Sequence, residues 1–335
     1  MDVKINFEHN QTAHCETGST SNLMNFAGLK VSEAMVFGIG GGLFFGYFPF
    51  VKLNYIPLTS FRHAPGRIFN KFTSRLGINV HTERFKDQNK AMDELDRLIA
   101  DGIPVALQTG AYWLPYFPSA YRFHFNMHNI VIYGRKNGEY LVSDPNVDHP
   151  ITLKYEDLLR ARFAKGPMAP KGKLYYPLDV PQLVNMTPQI VKGIKEVSFN
   201  MIKIPIPFIG VKGIRYVSRQ LRKWPEKLGE EKASRYLGQL IRMQEEIGTG
   251  GAGFRFIFGS FLQEASEILN QSWLMDVASE VTQVGDRWRE FALLGSRNCK
   301  GRATTEESYD VLADILLECA EREEQIFNNL IKISL

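Results

Sequence analysis

Apolar residues in the first half of the chain switch between helical and strand spacing. From Glu16 to Phe26, Leu23, Met24 and Phe26 fall at helical positions and Gly28 supplies a stop. Ser32 can cap a short second helix, SEAMVF. The segments 65–76 and 89–101 read as amphipathic helices ended by Gly77 and Gly102. In the latter Met92, Leu95, Leu98 and Ile99 share one face. Residues 53–58 and 79–84 read as extended. PVALQTG (104–110), NIVIYG (129–134) and EYLVSD (139–144) have strand character, and the last two form a hairpin across the turn-rich Arg135-Lys136-Asn137-Gly138.

Beyond residue 185 the pattern is almost entirely helical, with helices expected at 214–223, 230–247, 253–270, 274–294 and 304–331. The Pro-, Gly- and Lys-rich stretch 165–182 marks a boundary, and LYYPLDV within it reads as a last strand of the first part. The expected architecture is α+β, with an antiparallel sheet in a first domain (1–180) and an all-helical second domain (181–335). No internal repeat or low-complexity segment is evident.

Composition narrows the function classes. The chain has 335 residues, 44% hydrophobic and 23% charged, as expected of a folded globular protein. Forty basic and 36 acidic residues leave a net charge of +4 without a dense basic stripe, which argues against a nucleic-acid partner. The most apolar run, 34–51, holds five glycines and a proline. Glycine at this density disfavours a spanning helix, so the run is expected to be a buried glycine-rich loop beside a site. The N-terminus lacks the apolar core of a secretory signal. The cysteines Cys15, Cys299 and Cys319 are too few, and odd in number, for a disulfide framework, and no C-x-x-C zinc spacing occurs. A cytoplasmic protein without metal or cofactor is expected.

Cys15 is the centre of the candidate chemistry. It sits where loop becomes helix, and the unpaired N–H groups there favour a thiolate and can stabilise an oxyanion. The bland alternative is a buried structural cysteine. Cys299, in a polar loop, and Cys319, on a helix, read as structural. His128 opens a strand, a rigid place from which to hold a hydrogen bond of about 3 Å to sulfur. His124 lies in the preceding loop, and His14 would project away from its neighbour Cys15. Asp144 closes the returning strand. With the hairpin loop at 136–138, Ile130 faces Asp144, so His128 and Asp144 are diagonal neighbours on one face. Asp144 is then the orienter of the imidazole and Asn146 the alternative. The order Cys, His, Asp on these elements recurs in papain-like cysteine enzymes.

Several segments resemble one family. HCETGSTSNLMNFAGLKVSEAMVFGIGGGLFFGY (14–47), WLPY (113–116), the HNIVIYG strand and VSDP (142–145) resemble the butirosin biosynthesis protein H family. So do GIRYVSRQLRKWPEKL (213–228) and EEIGTGGAGFRFIFGSFLQEAS (245–266) in the helical part. The resemblance implies a papain-like first domain, similar to bacteriocin-processing peptidases. It also implies an acyltransferase: the name-giving member moves an acyl group from an acyl carrier protein thioester to an aminoglycoside amine. Carried over, Cys15 takes the acyl group, His128 is the base and Asp144 holds the imidazole. The partners implied are an acyl carrier protein or other thioester donor and a small amine acceptor.

Two departures stand out. Related chains often carry an acidic residue before the aromatic pair and LPY, whereas this chain has Gly110-Ala111, which leaves the substrate open. The similar peptidases use a glutamine about six residues before the cysteine as oxyanion donor. His9 occupies that position here, so Gln11 is the candidate donor.

Further candidates carry a plain structural reading beside the functional one. Tyr112, Trp113, Tyr116 and Phe117 either line a substrate pocket or pack in the core. Gly40-Gly41-Gly42 lacks the GK[ST] of a phosphate loop and reads as a tight turn. GTGGAGFR (248–255) offers backbone N–H groups and Arg255 to an anionic substrate group, or else an interdomain salt bridge. Arg219, Arg222, Lys223 and Lys227 either dock an acidic carrier or form a solvated face. Two other functions compete with acyl transfer: hydrolysis by a peptidase or amidase with the same triad, and a binding or scaffold protein that keeps the fold alone.

Overall fold

A computed structural model describes every residue except Met1, Asn54, Ala120, Tyr121, Gln182, Gly248, Thr249, Ala303, Thr305 and Glu306. In chain order the elements are β1 (Val3–Lys4), α1 (Cys15–Phe26), α2 (Glu33–Ile39), β2 (Leu43–Leu53), β3 (Ile56–Arg62), α3 (Arg67–Arg75), β4 (Asn79–Glu83) and α4 (Gln88–Ala100). Then follow β5 (Val105–Thr109), β6 (His128–Lys136), β7 (Glu139–Ser143), β8 (Ile151–Leu153), α5 (Tyr155–Arg162) and β9 (Leu174–Asp179). The rest is helical: α6 (Thr187–Ile202), α7 (Gly210–Leu221), α8 (Trp224–Leu228), α9 (Glu230–Glu245), α10 (Arg255–Leu269), α11 (Trp273–Cys299) and α12 (Tyr309–Leu330).

Two compact units result, Met1–Val36 with Ile68–Val184 and Phe37–Arg67 with Asn185–Leu335. The second unit thus includes a segment that a single cut near residue 180 assigns to the first. The cause is visible in β2 and β3. The apolar run is not a loop: after α2 and a turn at Gly41 (φ 63°) it forms a long hairpin. The hairpin packs within the second unit, where Phe45 (tilted, 6.0 Å) and Phe61 (edge-on, 5.5 Å) meet Trp288 of α11 and each other at 5.3 Å between ring centroids. Strand periodicity was masked because both faces of β2 near its start are buried.

The first unit is α+β. Its antiparallel sheet runs β4-β9-β5-β6-β7-β8, with β1 added to the far end of β6. One face carries α4 and α5, whose Met92, Leu95, Leu98, Ile99, Leu158 and Ala161 pack on Leu107, Ile130 and Ile132. The opposite face holds α1 and α3, whose Leu23 and Phe69 pack on Ala106, Val131 and Tyr175. Residues 106 and 131 point one way and 107, 130 and 132 the other, as the two-residue period of a strand requires. α4 is capped by Asp87, whose carboxylate accepts from the Lys90 N–H at 3.1 Å.

The β6–β7 hairpin sets the site. Its turn is tighter than the expected three-residue loop: Lys136 pairs with Glu139, and Asn137 (φ 52°) and Gly138 (φ 82°) form a two-residue left-handed turn. Alone, this would shift the whole register by one. An extra residue, Tyr133, bulges β6 between Ile132 and Gly134 and shifts it back, so that Val131 pairs with Ser143. Continuing that register puts Ile130 opposite Asp144. The expected face-sharing of His128 and Asp144 is therefore present, by a different route.

Among the described residues no helix is long and apolar enough to cross a membrane. Cys15, Cys299 and Cys319 are all thiols.

Candidate active site

The site lies in the first unit, at the start of α1 and the adjoining end of the sheet. Cys15 is the first residue of α1 and is 3% exposed. The residues before it are pinned by Glu33 at the start of α2. Ala13 and His14 donate their backbone N–H groups to its carboxylate at 2.9 and 2.6 Å, and the Thr17 hydroxyl donates at 3.1 Å. Burial pushes the Glu33 carboxyl above its ordinary range, and these hydrogen bonds oppose the shift. In the sequence Glu33 reads only as a first-turn residue of α2; its service to the cysteine helix, 18 residues upstream, is a tertiary fact.

His128 begins β6, and its Nε2 bonds Asp144 Oδ2 at 2.6 Å. The acceptor carboxylate fixes the proton on Nε2, which leaves Nδ1 for the sulfur. The imidazole and the Cys15 thiol are hydrogen-bonded and couple electrostatically. Burial by itself would lower the His128 pKa. The Asp144 charge, then the Cys15 charge and the hydrogen bonds to both, outweigh it and raise the value to about 10. The geometry thus suits a thiolate–imidazolium pair, the form in which a cysteine attacks.

Asp144 is fully buried and held on both oxygens. The Tyr116 hydroxyl donates to Oδ2 at 2.8 Å and the Asn146 N–H to Oδ1 at 3.0 Å. Asn146 does not reach the imidazole; its side-chain amide donates to Ala13 O at 3.1 Å, tying the Asp144 loop to the residues before Cys15. Thr12 N–H donates to Pro145 O at 2.7 Å across the same seam.

Gly18 on α1 makes this approach possible. A Cβ there would stand 1.9 Å from Thr12 Oγ1 and 2.7 Å from Pro145 Cβ. Gly18→Ala is expected to cost about 1–3 kcal/mol through overpacking and to slow turnover by displacing Asp144. Denaturant melts and a rate assay check this; an alanine variant as stable and active as the parent would contradict it.

The other sequence candidates separate cleanly. Gln11, the candidate oxyanion donor, is exposed, whereas Cys15 is buried. His9, at the position of the peptidases' glutamine, is tied instead to Ser143 Oγ (2.7 Å) and Val147 O (3.0 Å). His14 caps α1 with its backbone while Nδ1 meets Thr17 Oγ1 at 2.9 Å. His124 stacks on Tyr112 at 4.3 Å.

The aromatic cluster divides. Tyr116 touches Asp144, and burial, then that carboxylate, holds its phenol well above the usual range. Phe117 lies edge-on to His128 at 5.1 Å. Trp113 packs on the sheet core, and Tyr112 is 36% exposed.

Arg255 is not a substrate residue. It belongs to the second unit, is 1% exposed, and forms a bidentate pair with Glu323 at 2.9 and 3.0 Å under Trp288. Its Nη1 donates to Gly253 O at 2.9 Å, and the Trp288 indole N–H donates to Glu323 at 2.7 Å. All three guanidinium nitrogens thus donate to partners inside the second unit. Of the glycine cluster before it, Gly248 and Thr249 lie outside the described residues. In the basic run, Arg222 pairs with Asp310 and Asp314 of α12, while Arg219, Lys223 and Lys227 are exposed.

Asn129, like Glu33, is a residue that sequence reasoning missed. Its side-chain Nδ2 donates to Cys15 Sγ at 3.8 Å. Strand alternation signals this in hindsight, since 129 and 131 face α1.

Two family models match the chain. The N-terminal domain of butirosin biosynthesis protein H matches residues 14–145, and a domain of unknown function, DUF4872, matches residues 156–330, over half of the chain. The chain belongs to the butirosin biosynthesis protein H-like, DUF4872-containing family. The first match begins one residue before Cys15 and ends one after Asp144, so it encloses the whole candidate site. The second begins in α5 and so includes α5 and β9 of the first unit. No curated protein matches. Among solved structures, a C39-like peptidase from Bacillus anthracis is similar at 15% identity, with a TM-score of 0.38, over 53% of this chain and 98% of that one. The first unit of this family member is papain-like: a cysteine-headed helix on an antiparallel sheet, facing a histidine at a strand start.

Proposed function

We propose that the chain is a cysteine acyltransferase that moves an acyl group from a thioester donor to an amine. The observation that carries this reading is the Cys15–His128–Asp144 array, with each member at most 5% exposed. The Cys15 thiolate attacks the donor carbonyl, and the donor thiol leaves with a proton from His128. An amine then attacks the Cys15 thioester; His128 takes the amine proton and Cys15 returns as thiolate. A site this closed to water favours aminolysis of the intermediate over hydrolysis. Asp144 keeps the imidazole oriented and charged. The family name supports a biosynthetic setting; an acyl carrier protein as donor is what the resemblance of the sequence to that family implies.

The test is a product assay with a small acyl thioester, with and without added amines. Transfer predicts amide formation that rises with amine concentration. Steady release of free acid, or cleavage of a peptide or amide, indifferent to amines would replace this reading by a hydrolase with the same array. Absence of any turnover together with an inert Cys15 would support a binding protein.

A further inference from the structure

The nucleophile has a second fixed neighbour besides His128. Asn129 is 7% exposed, and its Nδ2 donates both to Cys15 Sγ (3.8 Å) and to Met127 O (3.1 Å). The amide cannot turn over without loss. Tyr175 of β9, 2% exposed, donates its hydroxyl proton to Asn129 Oδ1 at 3.0 Å, so the oxygen is held away from the sulfur and the NH2 toward it. His128 and Asn129 are consecutive residues with opposite strand faces. His128 meets the sulfur as acid and base, and Asn129 meets it as a neutral donor.

We infer that Asn129 is a catalytic residue of the Cys15 centre: its amide is a built-in donor to the nucleophilic sulfur, and Tyr175 is the residue that positions it. A thiolate is an anion in a nearly dry site, where each oriented donor to it counts for more than in water. The donor favours thiolate over thiol. It also fixes the sulfur's rotamer, and it does so without a proton to lose, which leaves acid–base work to His128 alone. The inference rests on the proposal that Cys15 is a nucleophile, and it adds the group that keeps it ionised.

The test is the pH profile of Cys15 alkylation by iodoacetamide, read as the Cys15 peptide by mass spectrometry. The charged and titratable groups around the sulfur are His128 on β6 with Asp144 behind it, Tyr175 on β9 with Lys173 just before it, Glu16 and His14 at the start of α1, and Glu33 on α2; Asn129→Leu leaves all of them in place. Asn129→Leu, nearly the same shape, is expected to raise the midpoint by about one pH unit, about a tenfold rate loss below both midpoints. Tyr175→Phe, which removes one hydroxyl, should raise it by about half as much with the thermal melt little changed. His128→Ala is the control on the underlying reading. If the parent midpoint lies at the ordinary thiol value of about 8.5 and His128→Ala leaves it there, the nucleophile reading fails and this inference with it. If the midpoint is low and depends on His128, but the Asn129→Leu profile superposes on the parent, the inference alone is overturned. Should Asn129→Leu not fold, a Tyr175→Phe profile identical to the parent overturns it equally.

Discussion

Serine in place of Cys15 is expected to lower turnover of a thioester substrate by at least about 10⁴-fold while leaving the melting transition nearly unchanged. The expectation follows from the chemistry of the position. A thiol beside an imidazolium ionises near neutrality, whereas an alcohol in the same place does not, and the sulfur is also the better leaving group in the second half-reaction. The Asn129 amide and the His128 ring beside the sulfur are both groups that a hydroxyl can meet. Steady-state rates and a denaturant melt on the same preparation separate loss of chemistry from loss of fold. A serine variant that retains a tenth of the parent rate would place the nucleophile elsewhere.

The second large effect belongs to the imidazole and its carboxylate. His128→Ala should cost about 10³-fold, within the range for removal of a general acid–base. Asp144→Asn should cost less at pH 7 but change the shape of the pH profile. Asp144 is the largest of the influences that raise the His128 pKa to about 10 against burial. Without its charge that pKa falls, so the imidazolium needed to protonate the donor thiol disappears at lower pH and the alkaline limb moves toward neutrality. Stability follows the same sign. The folded value, about 10, lies above the ordinary 6.5. The ion pair's contribution is therefore fully present below about 6.5 and is lost as the pH rises through about 10. Melts across that window should show the decline in the parent protein and not in His128→Ala. A flat parent profile would mean that the imidazole is neutral in the fold.

Much of the site was legible because it rests on local rules. Cys15 heads a helix whose start lies between a polar loop and a helical pattern, and His128 begins β6 where the apolar strand run begins. The pairing of His128 with Asp144 was legible only by a cancellation. The turn is one residue shorter than expected and the bulge at Tyr133 adds one back; neither has a unique sequence signature, because a bulge is chosen by packing on both faces of a strand. What stayed hidden is tertiary. Glu33 and Asn129 reach the cysteine from segments 18 and 114 residues away, and no local spacing encodes such a meeting. Arg255 misled because a buried, fully paired arginine and a ligand-binding one look alike until Glu323 is seen opposite it.

Elements were missed for comparable reasons. β8 has three residues, too few for a period to show. α6 carries Pro188 and Gly193, which lower its apparent helical character. Pro188 sits in the first turn, where its missing N–H costs nothing, and Gly193 packs against the backbone of Gly38, where a Cβ would lie 2.3 Å from the carbonyl oxygen.

The central claim is that Cys15 carries the acyl group between donor and acceptor. Intact-protein mass spectrometry after brief exposure to a small acyl thioester, without amine, tests it most directly. The account predicts one added acyl mass, mapped to the Cys15 peptide, discharged on adding an amine and absent in Cys15→Ser and His128→Ala. Acylation that persists unchanged in Cys15→Ser, or a parent protein that stays unmodified while turning over substrate, would contradict it.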